Sequence, residues 1–300
     1  MRKALIIFNP NAGMKLAARH LPRICNMFCG KGYLPSVYMT QHTGDGVFAA
    51  ESLAADKDLI VCIGGDGTLS ETIEGMRNAG VNIPVGYIPA GSTNDTATSL
   101  HLSRNIIQAT KDILGGKAKT LDLGEINGKP FCYVVSCGAF TRVTYTTPQP
   151  AKNVLGNLAY FFEATNEVSK IAPIPMQIET DNLSFSGDFL LCAFSNSTSM
   201  GGVLKLGDDL VDLNDGKLEL LLVRTPKDGI ELGQIIAALT QSNFNTDLIH
   251  IVSTSYAKVT LPENVDWTRD GEQFAGAGVV ELRCVRDAVR FVLNGKESEM

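Results

Sequence analysis

Between Asp58 and Met76 the chain reads DLIVCIGGDGTLSETIEGM, an apolar run that ends in Gly64-Gly65-Asp66-Gly67-Thr68 and passes straight into a helix-like pattern. Few folds accept that order. A buried strand (Leu59 to Ile63) delivers the chain to a turn whose glycines let backbone approach a ligand. The following helix aims its unpaired N–H groups and positive dipole end at the same point, which suits an anion. Asp66 is out of place there, because a carboxylate beside phosphates is repulsive unless a cation bridges them, and Mg²⁺ is the usual bridge in nucleotide chemistry. The turn therefore implies nucleotide plus metal. The plain alternative is a tight strand-to-helix connection with no ligand.

The same alternation runs through the first part of the chain. Strands are expected at 3–8, 33–39, 58–63 and 84–88, and helices at 14–29, 44–55, 68–79 and 104–115. This is the pattern of a parallel sheet covered by helices, which binds ligands at the carboxyl ends of its strands. From about residue 123 the pattern changes to β-like runs at 131–137, 175–180, 184–195, 217–223, 255–261, 277–284 and 287–293, with turn residues between them. The expected fold is α/β: an N-terminal parallel-sheet nucleotide domain and a C-terminal, mainly antiparallel β-sandwich domain. The domains are expected at 1–122 and 123–284, and periodicity does not assign the tail from about 285. Helical patterns interrupt the second half at 152–170 and 229–246. The first carries an apolar stripe (Val154, Leu155, Leu158, Phe161, Phe162, Val168) that suits a core or a membrane surface.

A length of 300 residues suits two domains. The net charge of -6 argues against a nucleic-acid partner, which needs a basic field. Seven cysteines without a C-x-x-C pair read as reduced thiols of a cytoplasmic protein. The apolar stretch in MRKALIIF is too short for a signal peptide and is stopped by Asn9-Pro10. No run approaches the length of a membrane span.

Four further segments carry chemistry-bearing residues. Asn9-Pro10-Asn11-Ala12-Gly13 ends the first strand, either as a phosphate-contacting turn or as an ordinary helix start. Pro89 to Asp95 follows the fourth strand and is rich in small polar side chains; helix capping explains Ser92 or Thr93 and leaves Asn94 and Asp95 unexplained. Asp212-Leu213-Asn214-Asp215-Gly216-Lys217 reads as a hairpin turn or as a set of oxygen donors for Mg²⁺ or Ca²⁺. Asp270-Gly271-Glu272 offers two carboxylates, as a proton acceptor for an attacking hydroxyl or as a solvated turn.

Taken in order, Asn9-Pro10, Gly64 to Thr68, Gly91-Ser92-Thr93-Asn94-Asp95, Asn214-Asp215-Gly216 and Asp270-Gly271-Glu272 resemble the diacylglycerol kinase catalytic family, in particular its soluble bacterial lipid kinases. The resemblance implies an ATP- and Mg²⁺-dependent kinase that phosphorylates a lipid hydroxyl, and a tail, 285–300, that returns to the first domain. It implies that Gly64, Gly65, Asp66, Gly67, Thr68, Leu69, Ser70 and Glu71, with Asn9 and Thr40, bind the nucleotide. Ser92 stands where the family usually has a threonine, and keeps its hydroxyl. Asp215, with the carbonyls of Asp212 and Lys217, matches a structural Mg²⁺ loop. Asp270 matches the general base, Glu272 is a second candidate, and Asp66 is expected to help hold the catalytic Mg²⁺. A lipid acceptor implies transient, peripheral contact with a membrane surface, and an exposed sheet edge would seat a second copy as a homodimer. Two rivals share the turn or the fold: an NAD kinase, whose later motif is missing here, and a non-catalytic nucleotide or lipid sensor, which has no use for a base.

Overall fold

The computed structural model describes residues 1–13, 17–138, 172–200, 204–207, 209–244 and 246–294. The apolar stripe of 152–170 lies outside them. Two compact units emerge, Met1–Leu123 with Arg286–Met300, and Gly124–Val285.

The first unit runs β1 (Arg2–Phe8), α1 (Leu21–Gly30), β2 (Tyr33–Met39), α2 (Asp45–Leu53), β3 (Leu59–Gly64), α3 (Asp66–Asn78), β4 (Val85–Pro89), α4 (Asp95–Ser99), α5 (Ile106–Gly115) and the start of β5 (Lys117–Ile126). Its strands order as β4-β3-β1-β2, all parallel. Every residue of β3 is buried, which is why its sequence is continuously apolar rather than alternating. Helices α1 and α5 pack with β1 and β3 into one core of Ile6, Phe8, Ile24, Phe28, Val61, Ile63 and Ile113. Helices α2 and α3 approach closely because Gly75 has no side chain; a Cβ there would lie 2.3 Å from the Val47 carbonyl oxygen.

Among the described residues, β2 has no second neighbour, so one edge of this sheet is open. Leu34, Val37 and Met39 are exposed along it. The Thr40 N–H donates to the Phe8 carbonyl, so alternation along β2 turns Pro35 toward the open side. Proline donates nothing to a ladder, and it blunts that edge at its centre.

The second unit continues with β6 (Lys129–Phe131), β7 (Val134–Gly138), β8 (Ile174–Thr180), β9 (Ser184–Ser195), β10 (Ser199–Met200), β11 (Leu204–Lys205), β12 (Leu218–Arg224), α6 (Gly229–Thr240), β13 (Ile249–Thr254), β14 (Tyr256–Thr260), β15 (Trp267–Arg269), β16 (Glu272–Phe274) and β17 (Val279–Leu293). Its pairings are antiparallel. Strand β9 organises them: one edge pairs with β8 and then β7, the other with β12. The strands enclose a core of Phe131, Val135, Phe189, Phe194, Leu220, Val259, Trp267 and Leu282. A second cluster, including Leu221, Val223, Leu232, Ile235 and Leu239, lies between α6 and the sheet.

Three expectations are corrected here. The runs 277–284 and 287–293 form one strand, β17, which Asp287 bends with φ 52. That bend is held by Asp122, whose carboxylate accepts the Asp287 N–H at 2.8 Å, and it reads in the sequence as a break. Asn214-Asp215-Gly216 is not a hairpin, because β12 pairs with β9 and β13 rather than with the chain before the turn. The polar run after β4 includes a short helix, α4, which the sequence pattern did not distinguish from a turn.

Candidate active site

Three loops meet at the carboxyl ends of β1, β3 and β4. Their glycines serve mutual packing: a Cβ on Gly91 would lie 2.6 Å from the Gly65 Cα, and one on Gly13, at φ +52, 2.4 Å from the Ala90 carbonyl oxygen. Any larger residue would force the loops apart. The Ala90 and Gly91 N–H groups both donate to the Gly64 carbonyl, and Asn9 Nδ2 donates to Thr68 Oγ1 at 3.1 Å. Thr40 is buried at the end of β2, next to the end of β1.

Asp66 ties the arrangement together. It opens α3 and is only 7% exposed. Its carboxylate accepts the Asp95 N–H at 2.9 Å and the Thr96 N–H at 3.0 Å, capping α4 from another loop. Burial pushes its carboxyl above the usual range, and the Thr96 and Asp95 amides pull it back. Asn94, left-handed at φ 56, closes the same loop: its Oδ1 accepts the Gly91 N–H and its Nδ2 donates to the Gly91 carbonyl. These bonds account for Asn94, which capping by Ser92 or Thr93 left unexplained; of Asp95 they use only the backbone N–H, and its side chain is buried. Ser92 itself is exposed at the loop's tip.

The N-terminus of α3 has no side-chain cap, and Gly65 and Gly67 are half-buried there. Backbone N–H groups of a first turn left without a cap suit an anionic ligand. Leu69 is sealed in the core and Ser70 is buried, so what Leu69 brings to such a ligand is limited to backbone. Glu71 faces elsewhere: its carboxylate accepts the Gly44 N–H at 2.7 Å and the Gly46 N–H at 2.9 Å, fixing the loop that follows Thr40. A Cβ on Gly46 would lie 2.7 Å from Glu71 Oε2, so the pair is built together. Glu71→Ala is expected to release that loop and raise the KM for nucleotide about tenfold with a smaller change in kcat, which steady-state kinetics would show.

In the second unit, Asp270 and Gly271 form the two-residue turn between β15 and β16, at φ 49 and φ 87. Positive φ at both positions is the hairpin conformation that Asp-Gly favours. Asp270 is nevertheless buried, and its carboxylate accepts the N–H groups of Cys132 (2.7 Å), Tyr133 (3.0 Å) and Val134 (3.2 Å). It anchors the start of β7. Glu272, two residues on, is exposed.

The 212–217 loop makes two local Asx turns: Asp212 Oδ1 accepts the Asn214 N–H and Asp215 Oδ1 the Lys217 N–H, both at 2.9 Å. Among the described residues no three His, Cys, Asp or Glu side chains converge as a ready metal cluster. Sequence reasoning missed Glu219. It is 1% exposed, and its Oε2 is buried without a hydrogen-bond partner. Burial pushes its carboxyl up to about 8, with the charge of Asp215 adding to the shift.

Residues 3–126 match the sequence model of the diacylglycerol kinase catalytic domain. The chain is 32% identical over 274 residues to a diacylglycerol kinase of Bacillus subtilis (strain 168), covering 91% of this chain and 90% of that protein. This chain belongs to the diacylglycerol kinase family. A diacylglycerol kinase of Staphylococcus saprophyticus is 34% identical over 273 residues, covering 90% and 89% of the two chains. A crystal structure of a diacylglycerol kinase from Bacillus anthracis str. Sterne shares the fold, with TM-score 0.75, 20% identity and 98% coverage of both chains. The protein is therefore a lipid kinase of this family, and the NAD kinase and sensor alternatives fall away. No helix among the described residues is long and apolar enough to cross a membrane.

Proposed function

We propose that this lipid kinase transfers the γ-phosphate of ATP, with Mg²⁺, to a hydroxyl of diacylglycerol or a related lipid at a membrane surface. The observation that carries the proposal is the uncapped start of α3 beside three interlocked loops, with the buried Asp66 carboxylate between two of them. The donor set fits a cation in two places. A buried carboxylate whose charge is disfavoured by burial gains from one, and Asp66 would hold it or its waters. The loop carrying Asp215, with the carbonyls of Asp212 and Lys217, would hold a second, structural ion. When bound beside the phosphates, Mg²⁺ supplies charge neutralisation.

The chain's own part is positioning. Phosphoryl transfer passes through a loose transition state, so fixed backbone donors contribute more than proton removal does. The amides of Gly65 to Thr68 would orient the phosphates, with Asn9 holding Thr68 and with Thr40 and Ser92 at the neighbouring strand ends. For proton removal the two carboxylates of the Asp-Gly-Glu turn exchange the roles expected from the sequence. Asp270 is committed to three backbone amides and acts as a positioning residue, whereas exposed Glu272 takes the hydroxyl proton.

Incubating the purified protein with γ-labelled ATP, Mg²⁺ and mixed vesicles containing diacylglycerol should yield a labelled lipid on thin-layer chromatography. Label released only as inorganic phosphate, with no lipid product from diacylglycerol or a total lipid extract, would reject the acceptor assignment.

A further inference from the structure

Glu219 is a buried carboxyl two residues beyond the 212–217 loop, in a strand that is otherwise apolar up to Arg224. It sits in β12 opposite Ser195 of β9 and Ser253 of β13, so three polar residues form a row across an otherwise apolar sheet. Alternation along β12 places Glu219 on the face of Leu221 and Val223, which pack in the cluster under α6. Val211 is part of that cluster and Leu213 packs against it. The 212–217 loop therefore leaves from the face on which Glu219 is buried. Asp215 and Asp212 stand on that loop, four and seven residues before Glu219, and their charges act on it.

The Ser253 side chain bonds the Glu219 carboxyl, and Oε2 accepts nothing. A buried oxygen left unpaired, under the charges of two carboxylates on the adjoining loop, is unfavourable on two counts, desolvation and repulsion. A divalent cation held by the loop removes both.

We propose that Glu219 completes the cation site of the 212–217 loop from below, by accepting a hydrogen bond from a water that the ion carries. The proposal rests on assigning Mg²⁺ to that loop. Direct ligation by all three carboxylates is not the arrangement, because they do not converge as a cluster. Mg²⁺ keeps several of its waters in protein sites, and such a water reaches an oxygen that the ion does not. Partners of this outer kind fix ligand orientation, and their loss weakens metal affinity by about 10- to 100-fold.

The test uses the full chain without nucleotide, so that only the loop site is read, with Mn²⁺ as the probe, followed by electron paramagnetic resonance and by the metal-induced rise in Tm. Wild type should bind Mn²⁺, and Asp215→Asn should not. Glu219→Gln should bind at least about tenfold more weakly, yet melt no lower than wild type without metal, because the amide has the size and shape of the neutral carboxyl that burial favours there. A merely structural Glu219 would show the reverse: a lower metal-free Tm with affinity unchanged. Wild-type Mn²⁺ affinity in Glu219→Gln, with binding lost in Asp215→Asn, overturns the role of Glu219 and leaves the loop assignment standing. Unchanged binding in Asp215→Asn, or no binding by wild type, overturns the loop assignment itself. Should Glu219→Gln fail to fold, Ser253→Ala decides: a several-fold loss of affinity supports the proposal, and none rejects it.

Discussion

Asp270→Asn is expected to lose stability as well as turnover. The asparagine side chain keeps one acceptor oxygen and replaces the other with a donor. Against three converging N–H groups, at least one donor then meets a donor. A buried amide left unsatisfied costs about 1–3 kcal/mol, which should appear as a lower urea midpoint at unchanged m-value. Displacement of the first residues of β7 should also lower kcat. Glu272→Gln separates the two roles, because its side chain is exposed and the amide keeps its size while removing the basic oxygen. It should retain the wild-type urea midpoint and lose about 10²–10⁴-fold in kcat, the usual contribution of a general base. Full activity in Glu272→Gln, together with an Asp270→Asn variant that is stable and inactive, would return the base role to Asp270.

Asp66→Asn should abolish most activity for a different reason. The carboxylate holds two successive amides of the loop after β4, and that loop is packed onto Gly65 through Gly91. Asparagine offers an oxygen to only one of the two amides and brings no charge to a cation. Nucleotide affinity measured with Mg²⁺ should fall, and kcat/KM should drop at least about 100-fold, equivalent to about 2.7 kcal/mol of transition-state stabilisation. Loss of the buried charge offsets part of the lost hydrogen bonding, so the variant should remain folded. Asp66→Ala is the harsher change, since both amides lose their acceptor. A folded Asp66→Asn variant with near-normal turnover would show that the carboxylate is structural only.

What could be read from the sequence was whatever repeats along the chain. Strand β3 and helix α3 announce themselves because a buried parallel strand is uniformly apolar and a helix has its own period. The glycine turns were legible as places of close approach, but not what they approach. Gly65 and Gly91 lie against each other, a contact between loops 26 positions apart that no local pattern encodes. Asp270 is the sharper case. Its three donors lie 136–138 positions away, so a short Asp-Gly-Glu run looked solvated when it was a buried anchor. Strands β15 and β16, three residues each, are too short to show alternation. Glu219 escaped notice because one glutamate within an apolar strand reads as an outward-facing residue until the layer packed on that face is known.

The ring of Pro35 has a consequence for how copies of this protein meet. Self-addition of strands requires a row of donors, and this border lacks one midway along a ribbon that is otherwise greasy and uncharged. An antiparallel twin laid there would start one bond short, so crowding should not zip neighbouring molecules into fibres. Exchanging this imino acid for valine would restore the missing donor and open that route.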